Sequence, residues 1–180
     1  MGSHLPAVHS VHIYETDDSL ITRLCAIIAT SLRLGDSALV IATADHRQRL
    51  VTALDGVGID ARACARDERF SMFDARQMLA TFMRDGMPDA ELFRQSIGSV
   101  LLDARRRADS RSHHGLIAFG EMVALLWQDG NKAAALKLEE LWNYAMRDIT
   151  FHLHCAYPRE GFAGINDINS VHDLHTHVVQ

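Results

Sequence analysis

A three-layer α/β domain, with a mostly parallel sheet between two layers of helices, is the fold class that this sequence predicts. Three observations predict it. Short strand-like runs alternate with longer amphipathic segments along the chain, the pattern of parallel strands joined by crossover helices. Two of the short runs, residues 37–42 (Ser-Ala-Leu-Val-Ile-Ala) and 116–119 (Leu-Ile-Ala-Phe), are apolar almost throughout, as strands covered on both faces are. The 180 residues are 48% hydrophobic and 23% charged, close to the globular average, and suffice to bury about 70% of the unfolded surface in one domain.

The elements follow in order. Residues 8–14 are rich in β-branched and aromatic side chains and predict a first strand. From Asp17 to Leu34, Leu20, Ile21, Leu24, Ile27, Ile28 and Leu32 recur at helical spacing, and Gly35 stands where a helix ends. After the strand at 37–42, a second helix is expected over about 45–54, stopped by Gly56. Residues 61–73 predict one or two short strands, and 75–84 a helix. Pro88 stands where the next helix would begin, and that helix runs to about Ala108. The strand at 116–119 passes directly into a helix carrying Met122, Leu125, Leu126 and Trp127. Asn131 caps a long helix to about Arg147, with Ala134, Leu138, Leu141, Trp142 and Ala145 on its apolar face. Residues 150–156 read as a last strand, and Ile168 onward as a last helix or a tail. Residues 1–8 read as an N-terminal tail opening on a cloning remnant, and 9–180 as one domain.

A net charge of −5 with scattered Lys and Arg leaves no basic stripe for nucleic acid, and Arg105, Arg106 and Arg107 read as a solvated helix end. No apolar run is long enough to span a bilayer, so no membrane partner is expected. Cys25, Cys64 and Cys155 are an odd number without metal-knuckle spacing or a signal peptide, which predicts free thiols and a cytoplasmic compartment. Histidine is the outlier, with 11 residues, of which His152, His154, His172, His175 and His177 fall near the end. That is either a ligand cluster or a polar C-terminus.

Ligands of parallel sheets sit outside the carboxyl ends of the strands, so the residues after each strand carry the functional argument. The order of elements resembles RecA-like ATPases, whose first turn is a glycine-rich loop with a phosphate-binding lysine. Here that turn reads Glu15-Thr16-Asp17-Asp18-Ser19-Leu20, with no glycine, no lysine and three carboxylates that would repel a triphosphate. A degenerate phosphate loop of this kind argues against nucleotide hydrolysis.

Several motifs, taken together and in order, resemble one family: residues 9–15 (His-Ser-Val-His-Ile-Tyr-Glu), Phe119-Gly120-Glu121-Met122-Val123, Leu126-Trp127, Gly130-Asn131, Leu138-Glu139-x-Leu141-Trp142-Asn143 and Cys155-Ala156-Tyr157-Pro158. They look like the MEDS domain, the sensory domain named after methanogens, methylotrophs and the dichloromethane-responsive repressor, over about His9 to His172. The resemblance implies a bacterial or archaeal signalling module in transcription regulation or signal transduction, non-catalytic and RecA-like, that binds a small hydrocarbon derivative. The family's first motif has Gln-Phe where this chain has His12 and Ile13.

The candidate ligand-binding residues are His9, Tyr14, Glu15, Glu121, Cys155, Tyr157 and His172, with no catalytic residue among them. Each also has a plainer reading. His9 would be a satisfied core histidine, Glu15 and Glu121 helix-capping carboxylates, and Cys155 a small core residue. Trp127 and Trp142 read as core, His152 and His154 as a solvent-facing edge or a metal pair, and His113 and His114 as loop. No cofactor is required, but His9, Glu121, Cys155 and His172 would suit zinc if they converged. The expected partners are a small apolar or weakly polar ligand and a signalling protein, with a second copy of the chain as a further candidate. The long helix is expected to transmit the signal through an exposed face bearing Glu139, Glu140 and Asn143. A disabled ATPase-like interaction module and a Cys155/His enzyme are the competing classes; a histidine within hydrogen-bond reach of the thiol would favour the latter.

Overall fold

Six parallel strands form the sheet in the order β3-β2-β6-β7-β1-β8. They are β1 (His9–Tyr14), β2 (Ser37–Ala42), β3 (Phe70–Asp74), β6 (Leu116–Gly120), β7 (His152–Pro158) and β8 (His177–Val179). The computed structural model describes residues 8–110 and 115–179; the expected tail and the loop histidines His113 and His114 lie outside these, apart from Val8.

Alternation along the strands builds two cores. Val11, Leu39, Ile41, Ala118, Leu153, Cys155 and Tyr157 project to one face, under α4 (Ala75–Phe82), α5 (Ala90–Phe93), α6 (Ser99–Asp109), α7 (Met122–Gln128), α8 (Lys132–Asp148) and α9 (Ile165–His172). Tyr14, Ala38, Val40, Ala42, Phe119 and Ala156 project to the other, under α1 (Asp17–Arg33), α2 (Ala44–Gly56) and α3 (Ala61–Arg66). All six residues of β2 are buried, which is why that segment carries no charge. Among the described residues no helix is long and apolar enough to cross a membrane.

Helix ends follow local chemistry. Thr16 and Ser19 form a reciprocal capping box at the start of α1, and the acidic Asp17 and Asp18 lie in its first turn. Gly35, at φ 88°, takes the left-handed position after that helix. The Asn131 side chain accepts the Ala134 amide at 3.1 Å and starts α8.

Three segments differ from the sequence reading. Residues 61–66 are helical rather than extended, because Asp60 caps Ala63 at 2.8 Å and Ala and Arg are strong helix formers. Helix α4 stops at Phe82, where Asp85 and Gly86, both at positive φ, turn the short hairpin of β4 (Met83–Arg84) and β5 (Met87–Pro88). Asp89 then caps the helix expected from Pro88, which runs to Asp109 through a π turn at Arg94–Gly98. The C-terminal segment holds β8, which pairs with β1 through Ser10↔His177 and His12↔Val179.

Candidate polar sites on the two faces of the sheet

β6, β7 and β1 are neighbours, with Gly120↔Cys155 and Tyr14↔Pro158 in register. Their side chains nevertheless separate into two groups, because successive residues point to opposite faces.

The first group lies at the carboxyl ends, beneath α1 and α2. Glu121, 4% exposed, follows β6 and accepts hydrogen bonds from the Thr43 amide at 2.8 Å and from His46 Nδ1 at 2.8 Å. The hydrogen bond to Glu121 raises the His46 pKa, and burial opposes it only in part. Tyr14 is buried beside them; burial, with the charges of Glu121 and Asp17, pushes its phenol well above the ordinary range. A groove of about 410 Å³ lies between α1 and α2, lined by Ile21, Asp45, Arg49 and Thr52 among others. A second groove, of about 660 Å³, lies between α2 and α3. Neither contains any of the seven residues selected from sequence.

His46 gives this site a signed pH dependence. A raised folded pKa means that its contribution to stability is full below 6.5 and is lost as pH rises through the folded value. Subtracting the urea-unfolding curve of H46Q from that of the wild type, from about pH 5 to pH 9, is expected to show that loss on the alkaline side. A flat difference would mean that the pair adds nothing.

The second group lies under α8 on the opposite face. Glu139 is fully buried, and its carboxylate is approached by His9 Nε2 at 3.2 Å and His175 Nε2 at 3.3 Å. The Tyr157 hydroxyl donates to it at 2.7 Å and the Cys155 thiol at 3.5 Å. His9 Nδ1 donates to Asn143 Oδ1 at 2.9 Å, whose amide nitrogen in turn donates to the Leu174 carbonyl at 2.9 Å. His175 Nδ1 donates to the Val171 carbonyl at 2.7 Å. Burial alone would raise the Glu139 pKa, but the charges of His175 and His9 beside it outweigh that and hold the group ionised. Burial and the Glu139 charge push the Cys155 thiol and the Tyr157 phenol well above their usual values. Ligating atoms of His9, Glu139, Cys155 and His175 all lie within 4.8 Å of one another.

Of the seven candidate residues, His9, Cys155 and Tyr157 therefore meet on one face, and Tyr14 and Glu121 on the other. A single cleft holding Tyr14, Glu121 and Cys155 does not form, because residue parity sends Cys155 to the α8 side. Glu15 is exposed, 3.8 Å from Arg159. His172 stands on α9 with its Nε2 buried and without a hydrogen bond, outside the cluster of four. The residues that lie with His9 and Cys155 are Glu139 and His175, not Glu121 and His172. Glu139 and Asn143 do not form an exposed face of α8: one is buried and the other is held between His9 and Leu174.

His154 is buried, not a solvent-facing edge residue. It accepts from Ser10 Oγ at 2.8 Å and lies near His12, and burial lowers its pKa to about 4, with the His12 charge assisting. Trp127 and Trp142 are core residues. A histidine does lie within reach of the Cys155 thiol, at 3.4 Å from His9 Nε2, yet the thiol is inaccessible and its pKa is raised. An activated nucleophile needs the reverse.

A family model described as "MEDS: MEthanogen/methylotroph, DcmR Sensory domain" matches residues 8–176. No curated protein matches the chain. Among solved structures, the chain is similar to an uncharacterised protein, PH0321, from Pyrococcus horikoshii, crystallised in complex with an unknown peptide. The two share 15% identity at a TM-score of 0.67, over 97% of this chain and 77% of the other, a likeness of fold.

Proposed function

Because the chain belongs to the MEDS family of sensory domains, we propose that it senses a small, largely apolar molecule at the carboxyl ends of β1 and β6 and signals by contact, without turning over nucleotide. The carrying observation is the buried pair Glu121 and His46 beside Tyr14, with Asp45, the chain neighbour of His46, lining the groove between α1 and α2. A weakly polar group competing for Glu121 would displace His46 and move α2 against α1. The sheet carries the change onward, since β1 and β7 are tied to α8 through the contacts of Glu139 and Asn143. A partner, whether a signalling protein or a second copy of the chain, would read the outer surface of α8, where Glu140 and Tyr144 are exposed. A RecA-like ancestry with a degenerate phosphate loop accords with the acidic, capped first turn, where Asp17 and Asp18 leave no site for a triphosphate.

Titration of the full chain with short-chain halides, alcohols and aldehydes, followed by Trp127 and Trp142 fluorescence and by hydrogen exchange, tests this reading. A binder is expected to change exchange in α2 and α8, and E121Q to weaken it by about tenfold or more, the scale of a lost hydrogen bond to a charged group. A binder indifferent to E121Q would place the site elsewhere. Calorimetry with Mg-ATP is expected to give no heat of binding; micromolar affinity would overturn the account of the first turn.

A further inference from the structure

We propose that His9, Glu139, Cys155 and His175 form a closed, structural zinc site that fastens the C-terminal segment to the sheet and to α8. The inference stands independently of the sensory reading above.

Four observations carry it. The first is spacing. Zinc bonds of about 2.0–2.1 Å to nitrogen and oxygen and about 2.3 Å to sulfur set tetrahedral ligand atoms about 3.3–3.6 Å apart. Here His9 Nε2 lies 3.2 Å from Glu139 Oε2 and 3.4 Å from Cys155 Sγ, and Sγ lies 3.5 Å from the same Oε2.

The second is ring orientation. Both histidines give their Nδ1 proton to a carbonyl-type oxygen, Asn143 Oδ1 and the Val171 carbonyl. In the neutral rings this turns the Nε2 lone pairs inward, the arrangement in which outer hydrogen bonds orient metal-bound imidazoles. Tyr157 donates to Glu139 Oε1 and leaves Oε2 facing His9 and Cys155, while His175 Nε2 lies 3.3 Å from Oε1.

The third is an unmet valence. The His175 side chain is fully buried, and its Nε2, 3.3 Å from Glu139 Oε1, makes no hydrogen bond. A buried polar atom of this kind calls for a partner.

The fourth is charge. A thiolate, a carboxylate, two neutral imidazoles and one divalent ion sum to zero, which removes the cost of holding ionised groups in a dry interior. The thiol proton leaves to solvent as the sulfur–metal bond forms. Mixed sulfur, nitrogen and oxygen ligands in a compact tetrahedral set favour zinc over calcium or magnesium, which take oxygen. With all four side chains buried, no position is open to substrate, so the site is structural rather than catalytic.

The test uses the full chain, stripped with chelator and reloaded with zinc or with cobalt alone. One metal per chain is expected by mass spectrometry, and cobalt should give the visible bands of a tetrahedral site with a thiolate charge-transfer band in the near ultraviolet. C155S should lose that band. H175Q should bind at least about 100-fold more weakly, and N143A, which frees His9 without removing a ligand, about 10-fold. H152Q, outside the cluster, should bind as the wild type does. A folded wild-type chain that takes up neither metal at stoichiometric concentration, or that gives octahedral cobalt spectra, would overturn the proposal even if the variants fail to fold. So would binding unchanged in both C155S and H175Q.

Discussion

Glu139→Leu is expected to destabilise the protein by about 3–5 kcal/mol, as removal of one member of a buried charged pair does. The carboxylate is the common acceptor for Tyr157 and the Cys155 thiol and the counter-charge for His9 and His175. Leucine supplies volume but leaves all four partners in the interior without it. Exchanging a whole buried polar set for apolar residues can be neutral, but here only one member goes. Glu139→Gln keeps an oxygen for Tyr157 and should lose clearly less. Urea unfolding of the three proteins at neutral pH reads the ranking. A leucine variant as stable as the wild type would mean that the cluster has no energetic centre at Glu139.

The second large effect belongs to Trp142. It is fully buried, edge-on to Phe93 with ring centres 5.3 Å apart and close to Phe151 at 6.3 Å. A Cβ at Gly120 would stand 3.5 Å from its ring, in ordinary contact, so the indole packs directly on β6 at that position. Trp142→Ala is expected to cost about 3–5 kcal/mol through lost burial and the cavity left behind. Trp142→Phe should cost markedly less than the volume change suggests, because the indole Nε1 is buried without a hydrogen-bond partner and its removal relieves an unmet donor. Equal losses in thermal unfolding for the two variants would show that Nε1 is satisfied in solution.

These two residues also mark what could be read from sequence. The layers, the parallel sheet and most elements followed from apolar periodicity, which reports burial directly. Trp142 was legible as core for that reason. Glu139 shares its stripe, one turn from Ala135 and next to Leu138, and the helical period already placed it inward; a carboxylate alone suggested solvent. The signal was present and charge overrode it. His175 offered no such signal. Its meeting with His9 depends on β8 pairing with β1 and on the Thr176 amide and hydroxyl both bonding the His9 carbonyl at 2.8 Å, long-range contacts with no local trace. The division of Cys155 from Glu121 was the converse case. Adjacent strand ends were expected, but which face each side chain takes is a matter of parity, and parity depends on where the strand begins.

Strand order has a further consequence, for the time course of synthesis. Within this sheet β1 precedes the other strands in the chain, yet its neighbours are β7 and β8, which follow all the rest. His9 faces Leu153 and Ser10 faces His177, so β1 can pair only when β7 and β8 have been made. Until then β2, β3 and β6 can assemble among themselves while residues 9–14 stay unpaired. Such distant pairings slow folding. They also leave the unpaired edges of β1 open to wrong partners during translation, a period in which a holding chaperone would act on this chain.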